Sequence, residues 1–318
     1  MTPDVLMSAL PAHYGDPLRE QRVLESSAGV IDRSDRGVLV VPGDDRLSWL
    51  HTICSQHVAD LADGESTEAL VLSPHGHVEQ HWQVTELSGT VWLDVEPGTA
   101  EDVLAYLEKM RFLKRVEPAD VSAEWAVLTV SGPSTAEVLR TASLPETGAL
   151  PAGGFVRRTG WGADLIVPRE SAPAVLDALR SGGATPVGTL AFEALRVAAR
   201  RPRLGFETDH RTIPHEVGWI GAAVHLDKGC YRGQETVARV QNLGRPPRRL
   251  VLLHLSGESD VLPQPGTPVE LDARPVGFLG TAVHHYELGP IALAVIKRTV
   301  PDDARLTVAG LPVAIDAD

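Results

Sequence analysis

The sequence predicts an α+β protein with two related α+β domains followed by a small C-terminal β-barrel. Three observations predict it: a strand–helix unit that recurs, a second unit that recurs in the same order, and a change to short β-rich runs after about residue 249. The chain has 318 residues, which is too long for one ordinary hydrophobic core. We predict domains over residues 1–120, 121–247 and 248–318.

The first recurring unit is a strand, a glycine-containing turn and a helix. An apolar run at residues 37–41 ends at a Pro-Gly pair, and residues 44–53 then carry apolar side chains at helical spacing. The same order returns with a strand at 125–130, a Ser-Gly-Pro turn at 131–133 and apolar helical positions over 136–139. This repetition favours an internal duplication.

A second strand–helix pair supports the duplication. Its two copies are a strand at 93–95 with a helix at 100–107, and a strand at 165–167 with a helix at 172–179. Each helix is preceded by a hydroxyl residue at the N-cap position, Thr99 and Ser171. Two units in the same order predict two domains of related topology.

The last third of the chain changes to short β-rich segments separated by turns. The runs at 250–255, 276–285 and 291–296 alternate with Pro, Gly and Asp residues. Gly277 and Gly280 lie inside one run, as in a strand that bends sharply at a barrel corner. We therefore predict a small barrel.

The charge balance limits the partners. A formal charge of −13 repels a polyanion at long range, so we predict no nucleic-acid partner. Two local basic runs stand out, with four cations in 109–115 and four arginines in 196–203. Such runs could hold an anionic small molecule, or they could be solvated helix faces.

Other compositional features predict the compartment. No stretch approaches the ~18 apolar residues of a membrane span, and the N-terminus lacks a cationic segment followed by a hydrophobic one, so we predict a cytoplasmic protein without a membrane partner. The two cysteines, Cys54 and Cys230, are too few for a disulfide framework or a paired-cysteine metal site. We predict reduced thiols and no metal site.

Residues 228–235, Lys-Gly-Cys-Tyr-Arg-Gly-Gln-Glu, form the most unusual segment of the chain. Glycines flank Cys230 and Tyr231, so the backbone can turn tightly and present the thiol at the surface. Lys228 and Arg232 stand two residues from Cys230 on either side, and nearby cations favour a thiolate. The alternative is a cysteine that fills a small apolar space beside a turn.

The octapeptide resembles the signature of the YgfZ family, relatives of the glycine-cleavage T-protein. Similar blocks occur in the expected order over nearly the whole chain, at residues 37–50, 72–78, 195–197 and 213–214, and the octapeptide match continues through Arg239. The resemblance implies two ferredoxin-like α+β domains and a barrel in a three-domain ring that binds tetrahydrofolate. It also implies a role in building or repairing iron–sulfur enzymes, which needs the motif cysteine.

The resemblance also implies site residues. Cys230 is the expected catalytic group, and the expected folate-binding residues are Lys228, Tyr231, Arg232, Gln234, Glu235, Phe192, Arg196, Arg239 and Gln80. Phe192 stands where an aromatic ring could stack on the pterin, and it is equally well placed as a helix core residue. Arginines suit the carboxylates of the folate glutamate tail.

Two departures from the T-protein pattern bear on the activity. Gln80 and His81 stand where the T-protein has an acidic pair, and Ala198 stands where the superfamily has its folate-contacting glutamate. A neutral glutamine cannot act as a carboxylate base, although His81 or Glu79 could replace it. The main hypothesis is a folate-binding accessory protein for iron–sulfur enzymes or their assembly factors. The alternatives are a folate-dependent aminomethyltransferase and a ligand-binding scaffold without chemistry of its own.

Overall fold

The computed structural model describes residues 10–258 and 261–316. The helices in these ranges are α1 Pro17–Ser26, α2 Arg46–Ile53, α3 Ala100–Arg111, α4 Thr135–Thr141, α5 Ala172–Ser181, α6 Thr189–Ala198 and α7 Gln234–Leu243. No helix within them is both long and apolar enough to cross a membrane.

The strands of the first half are β1 Gly29–Asp32, β2 Gly37–Pro42, β3 Ser66–Leu72, β4 Val78–Leu87, β5 Thr90–Val95, β6 Ala119–Asp120, β7 Trp125–Ser131, β8 Gly148–Ala149, β9 Phe155–Thr159, β10 Gly162–Pro168 and β11 Thr185–Pro186. Those of the second half are β12 Arg248–Leu255, β13 Pro268–Leu271, β14 Arg274–His285, β15 Gly289–Lys297, β16 Leu306–Val308 and β17 Leu311–Ile315.

The chain divides into two compact units. The first contains the residues up to Ala69 together with His81–Phe192, and the second contains Leu70–Gln80 together with the residues from Glu193 onward. A short segment around the β3–β4 turn thus belongs with the C-terminal part of the chain.

Two sheets organise the first unit. One has the order β11-β1-β7-β10-β9-β8, and the other has the order β3-β4-β5-β2-β6. The predicted duplication is visible in them, because β2 pairs antiparallel with β5 and β7 pairs antiparallel with β10. Each of these four strands is followed by a helix: α2, α3, α4 and α5. Thr99 and Ser171 occupy the predicted N-cap positions, but neither side chain makes the capping hydrogen bond.

A buried charge network connects the two sheets of the first unit. Arg157 of β9 pairs with Asp164 of β10 at 2.7 Å and also with Asp94 of β5, and Arg36 Nε lies 2.6 Å from Asp94 Oδ2. Burial alone would raise the pKa of Asp94, but Arg157 and Arg36 hold that pKa down at about 2. Asp94 is therefore a buried carboxylate compensated by two guanidinium groups.

A closed barrel dominates the second unit, with strand order β12-β15-β14-β13-β16-β17. The pairing of β14 with β15 shifts register between Leu279 and Ala282, which bends the strand as the glycines predict. A Cβ on Gly280 would lie 2.5 Å from Glu207 Oε1, and the Thr281 N–H donates to that oxygen at 2.7 Å. The absence of a side chain at Gly280 thus leaves room for the Glu207 carboxylate, which accepts a hydrogen bond from the backbone N–H of Thr281 at the bulge.

The predicted α+β class and the C-terminal barrel are confirmed. The three domain boundaries stay predictions.

Candidate functional site

Residues 228–233 of the octapeptide form a loop, and its last two residues, Gln234 and Glu235, begin α7; we call residues 228–235 the motif loop. Gly233 is the N-cap of α7 and has a left-handed φ of 83°. The turn between β3 and β4 is tight, since the Ser73 N–H donates to His77 O at 2.8 Å and the Gly76 N–H donates to Ser73 O at 2.9 Å. Both segments belong to the second unit.

Two glycines let the motif loop and the β3–β4 turn pack backbone against backbone. A Cβ on Gly233 would lie 2.5 Å from Ser73 O and 2.9 Å from the Gly76 Cα. A Cβ on Gly76, whose φ is 78°, would lie 2.7 Å from the Thr236 Cβ. Gly229 has no such neighbour within 4 Å and no left-handed φ, so only one of the two motif glycines is required by conformation.

The apolar side of the motif loop is part of a core. Tyr231 is 9% exposed and packs in one cluster with Leu72, Val78 and Val237. Lys228 is 5% exposed, and its Nζ lies 5.0 Å from the centre of the Tyr231 ring, within the range of a cation–π contact. Burial raises the pKa of Tyr231 to about 12, so its phenol is neutral at physiological pH. Both residues hold the loop in place.

Polar contacts fix the other side of the loop. Arg232 binds Glu79 at the start of β4 through both terminal guanidinium nitrogens, Nη1 and Nη2, at 3.0 and 3.3 Å. The Gln234 side-chain amide donates to the Lys228 carbonyl at 3.3 Å. The two cations beside Cys230 therefore have partners of their own: Lys228 lies over the Tyr231 ring, and Arg232 binds Glu79.

Cys230 is exposed, as predicted, while Cys54 is buried. Glu235 and Arg239 are exposed on α7 and face one another, with 3.6 Å between Arg239 Nη2 and Glu235 Oε1. Gln80 is half-buried near the start of β4. Together with Gln234, which is also half-buried, these residues are the predicted site residues of the second unit that keep solvent-exposed surface besides Arg232.

Phe192 and Arg196, both on α6, are buried and engaged. Phe192 is 4% exposed; the Trp161 ring packs edge-on at 5.2 Å and the Arg33 guanidinium lies 4.7 Å from the ring centre. Arg196 is 3% exposed and binds Glu193 at 2.8 Å and Glu207 at 3.1 Å. Both side chains are covered by these neighbours, and their folate-binding role stays a prediction. The structure favours packing and ion-pairing roles for both.

A charge cluster that was not predicted from the sequence anchors the segment before the motif loop. Arg248 of β12 binds Asp209 at 2.7 Å and Glu216 at 2.8 Å. Burial opposes ionisation of Asp209, but the Arg248 guanidinium lowers its pKa. The Val78 N–H donates to Thr212 O at 2.8 Å, which ties this segment to β4. The sequence signal for this cluster was the pair of acids, Asp209 and Glu216, on either side of the Ile-Pro pair at 213–214.

A second missed pair lies in the first unit. His81 Nε2 of β4 is 2.9 Å from Glu68 Oε2 of β3, with both side chains largely buried. The histidine and the carboxylate form a hydrogen-bonded pair beside Gln80 in the sequence.

The family model for the GCVT N-terminal domain matches residues 9–228, well over half of the chain. The chain belongs to the GCVT N-terminal domain family. It is 27% identical over 266 residues to a putative chloroplastic transferase of Arabidopsis thaliana, covering 79% of this chain and only 60% of that relative. It is 28% identical over 301 residues to an aminomethyltransferase of Symbiobacterium thermophilum, covering 86% of this chain and 79% of the relative.

The fold has a solved counterpart. The glycine cleavage system aminomethyltransferase T of Bartonella henselae superposes with a TM-score of 0.83 at 21% identity, covering 97% of this chain and 90% of that one. The predicted T-protein-like fold is confirmed by this likeness. The narrower YgfZ assignment stays a prediction.

Proposed function

We propose that this GCVT-family protein binds tetrahydrofolate and supports the assembly or repair of iron–sulfur enzymes through Cys230. The observation that carries the proposal is the exposed thiol in a loop whose neighbours are fixed. Lys228 and Tyr231 are buried, Arg232 is paired with Glu79, and Gly233 is packed against the β3–β4 turn. A thiol held at the surface on a rigid base suits contact with another molecule better than core packing.

The chemistry of a single thiol sets the kind of step that Cys230 can perform. Thiolates are preferred ligands of iron in iron–sulfur clusters. Among the described residues there is no group of three or more His, Cys, Asp or Glu side chains that could hold a metal ion. We therefore propose that Cys230 supplies one ligand to a cluster in transit and that the client or assembly factor supplies the others.

Folate binding is proposed from family membership and from the resemblance of the motif. Of the residues expected to contact it, Phe192 and Arg196 are covered by other side chains. Arg239 and Gln80 remain suitable: Arg239 is 70% exposed with a guanidinium able to bind a carboxylate, and Gln80 offers an amide. No chemical step is assigned to the folate.

A second candidate function is aminomethyl transfer, favoured by the names of the relatives that match most of the chain. Gln80 opposes it because an amide cannot accept a proton as the carboxylate of the T-protein pattern does. In β4 the neighbouring side chains that could replace the carboxylate are Glu79, which binds Arg232, and His81, which binds Glu68. Under this alternative His81→Ala would abolish transfer, whereas Cys230→Ser would leave it unchanged.

The thiol is tested by complementation of a strain that lacks the gene. We expect Cys230→Ser to lose the activity of iron–sulfur enzymes that the wild-type protein restores, because serine is a much weaker iron ligand than a thiolate. Cys54→Ser is the matched control, since Cys54 is the other thiol and is buried. Full restoration by Cys230→Ser would refute the thiol role.

Folate binding is tested separately by titration calorimetry with tetrahydrofolate. We expect a Kd on the order of micromolar, as for many metabolite sites. Arg239→Ala should weaken binding, while Arg249→Ala in the barrel serves as an arginine control. A flat trace with the wild-type protein would overturn the folate part and leave the thiol test unaffected.

A further inference from the structure

The end of α3 carries an exposed apolar pair. Phe112 and Leu113 are 88% and 84% exposed, the highest values for any large hydrophobic residue in the described part of the chain. Met110, at the last turn of α3, is 36% exposed. Adjacent exposed apolar residues in a folded protein usually mark a contact surface, since isolated ones are ordinary but a continuous patch is not.

The pair borders a preformed groove of about 390 Å³. The groove lies between α2 and the segment 110–114 and is lined by Trp49 and Ile53 on one side and by Met110 and Phe112 on the other. The Trp49 indole N–H donates to Met110 O at 3.0 Å, so the indole and the segment hold one another in position. The groove thus has one fixed apolar wall, and its lining also includes Asp45, Thr52, Arg111 and Lys114.

The backbone at Phe112 is strained. Its φ of 47° with ψ of −120° lies in a region that glycine adopts readily and that side chains with a Cβ avoid. An aromatic side chain that is 88% exposed gains little packing to offset that strain. The position would be more stable as glycine, which indicates that the ring serves something other than the stability of the chain.

The surroundings of the groove are positive on an acidic protein. Lys109, Arg111, Lys114 and Arg115 fall within seven residues, whereas the whole chain has a formal charge of −13. Arg115 is held by Asp44 and Asp45, and Arg111 Nη1 lies 3.8 Å from Glu108 Oε2, so the two exposed lysines carry the local positive charge. Lysines beside a groove with an apolar wall attract a segment that combines carboxylates with an apolar side chain.

We propose that this groove and segment 110–114 bind an acidic segment of a partner protein, which inserts an apolar side chain between Trp49 and Phe112. The site is independent of the proposed function. A second copy of the chain is disfavoured because two molecules of charge −13 repel one another. An anionic membrane is disfavoured by the same charge and by the concave shape of the groove.

Fluorescence anisotropy with two labelled peptides tests the proposal on the full chain. One is rich in aspartate and glutamate around a central Trp-Leu pair, and the other has lysine at every acidic position. We expect the acidic peptide to bind, and the combined change Phe112→Ser and Leu113→Ser to weaken binding by about tenfold or more. Raising the salt from about 0.1 M to about 0.5 M should also weaken it. Val261→Ser, at another exposed apolar position, should have no effect.

Phe112→Gly separates binding from folding. This change should raise the unfolding midpoint by relieving the backbone strain, and it should still weaken the binding of the acidic peptide. Equal binding of both peptides, or no binding of the acidic one, overturns the proposal. Two further results also overturn it: cosedimentation with phosphatidylglycerol vesicles that depends on Phe112 and Leu113, which would assign the surface to membranes, and a dimer in light scattering that the double variant abolishes.

Discussion

Replacing Gly233 with alanine should destabilise the second unit by about 2–5 kcal/mol. The new Cβ would stand 2.5 Å from Ser73 O and 2.9 Å from the Gly76 Cα, both backbone atoms that cannot rotate away. A left-handed φ costs a residue with a Cβ about 1–2 kcal/mol, and overpacking typically costs about 1–3 kcal/mol. The sum follows from two causes that act at the same atom.

Urea unfolding followed by tryptophan fluorescence measures this effect. The sequence has six tryptophans, and Trp219 is the one that falls in the second unit, in the same apolar cluster as Tyr231. Gly229→Ala is the matched control, because a Cβ there meets nothing within 4 Å, and its effect should stay within about 0.5 kcal/mol. If Gly233→Ala were as mild as Gly229→Ala, the packing of the motif loop against the β3–β4 turn would be wrong.

Two further predictions concern ion pairs of opposite burial. Asp94→Asn should cost about 3–5 kcal/mol, because it leaves Arg157 buried without one of its carboxylates. The folded-state pKa of Asp94 is lowered from 3.8 to about 2, so its stabilisation is complete above pH 3.8 and is lost as the pH falls towards 2. Wild type should show this acid-dependent loss of stability in urea unfolding and Asp94→Asn should show less of it; identical pH profiles would contradict the network. Arg232→Ala should cost less than about 1 kcal/mol, because the Arg232–Glu79 pair is about 40% exposed. A double-mutant cycle with Glu79→Ala measures the coupling between the two side chains, and strictly additive effects would show that there is none.

The secondary structure was largely predictable because its signals are local. A short, nearly continuous apolar run predicts a strand at 125–130, and β7 runs over Trp125–Ser131. Helical spacing predicts a helix at 100–107, and α3 runs over Ala100–Arg111. The apolar periodicity ends at Leu107, whereas the helix continues for four more residues to Arg111, so the periodicity predicts too early an end. The barrel was predictable for the same reason, since short β-rich runs and turn residues alternate along the chain.

The roles of the charged residues were not predictable because their partners are distant in sequence. Arg232 lies 153 residues from Glu79, and Arg36 lies 58 residues from Asp94. Arg196 is a different case, because its partners Glu193 and Glu207 are near it in sequence, and what local composition does not predict is that the arginine is buried with them. An arginine has the same local pattern whether it is solvated or buried, so only tertiary structure distinguishes the two.

The motif loop shows how these two kinds of information combine. Its sequence suggests a chemical signature, yet most of its residues have a structural reason: Tyr231 fills a core, Lys228 packs on its ring, and Gly233 admits a neighbouring backbone. Cys230 has no such reason, since it is exposed and Gly229 beside it is not required by conformation. A change at Cys230 alone should therefore leave the unfolding free energy within about 0.5 kcal/mol of wild type. Any loss of function in Cys230→Ser would then report on the thiol itself and not on the loop that presents it.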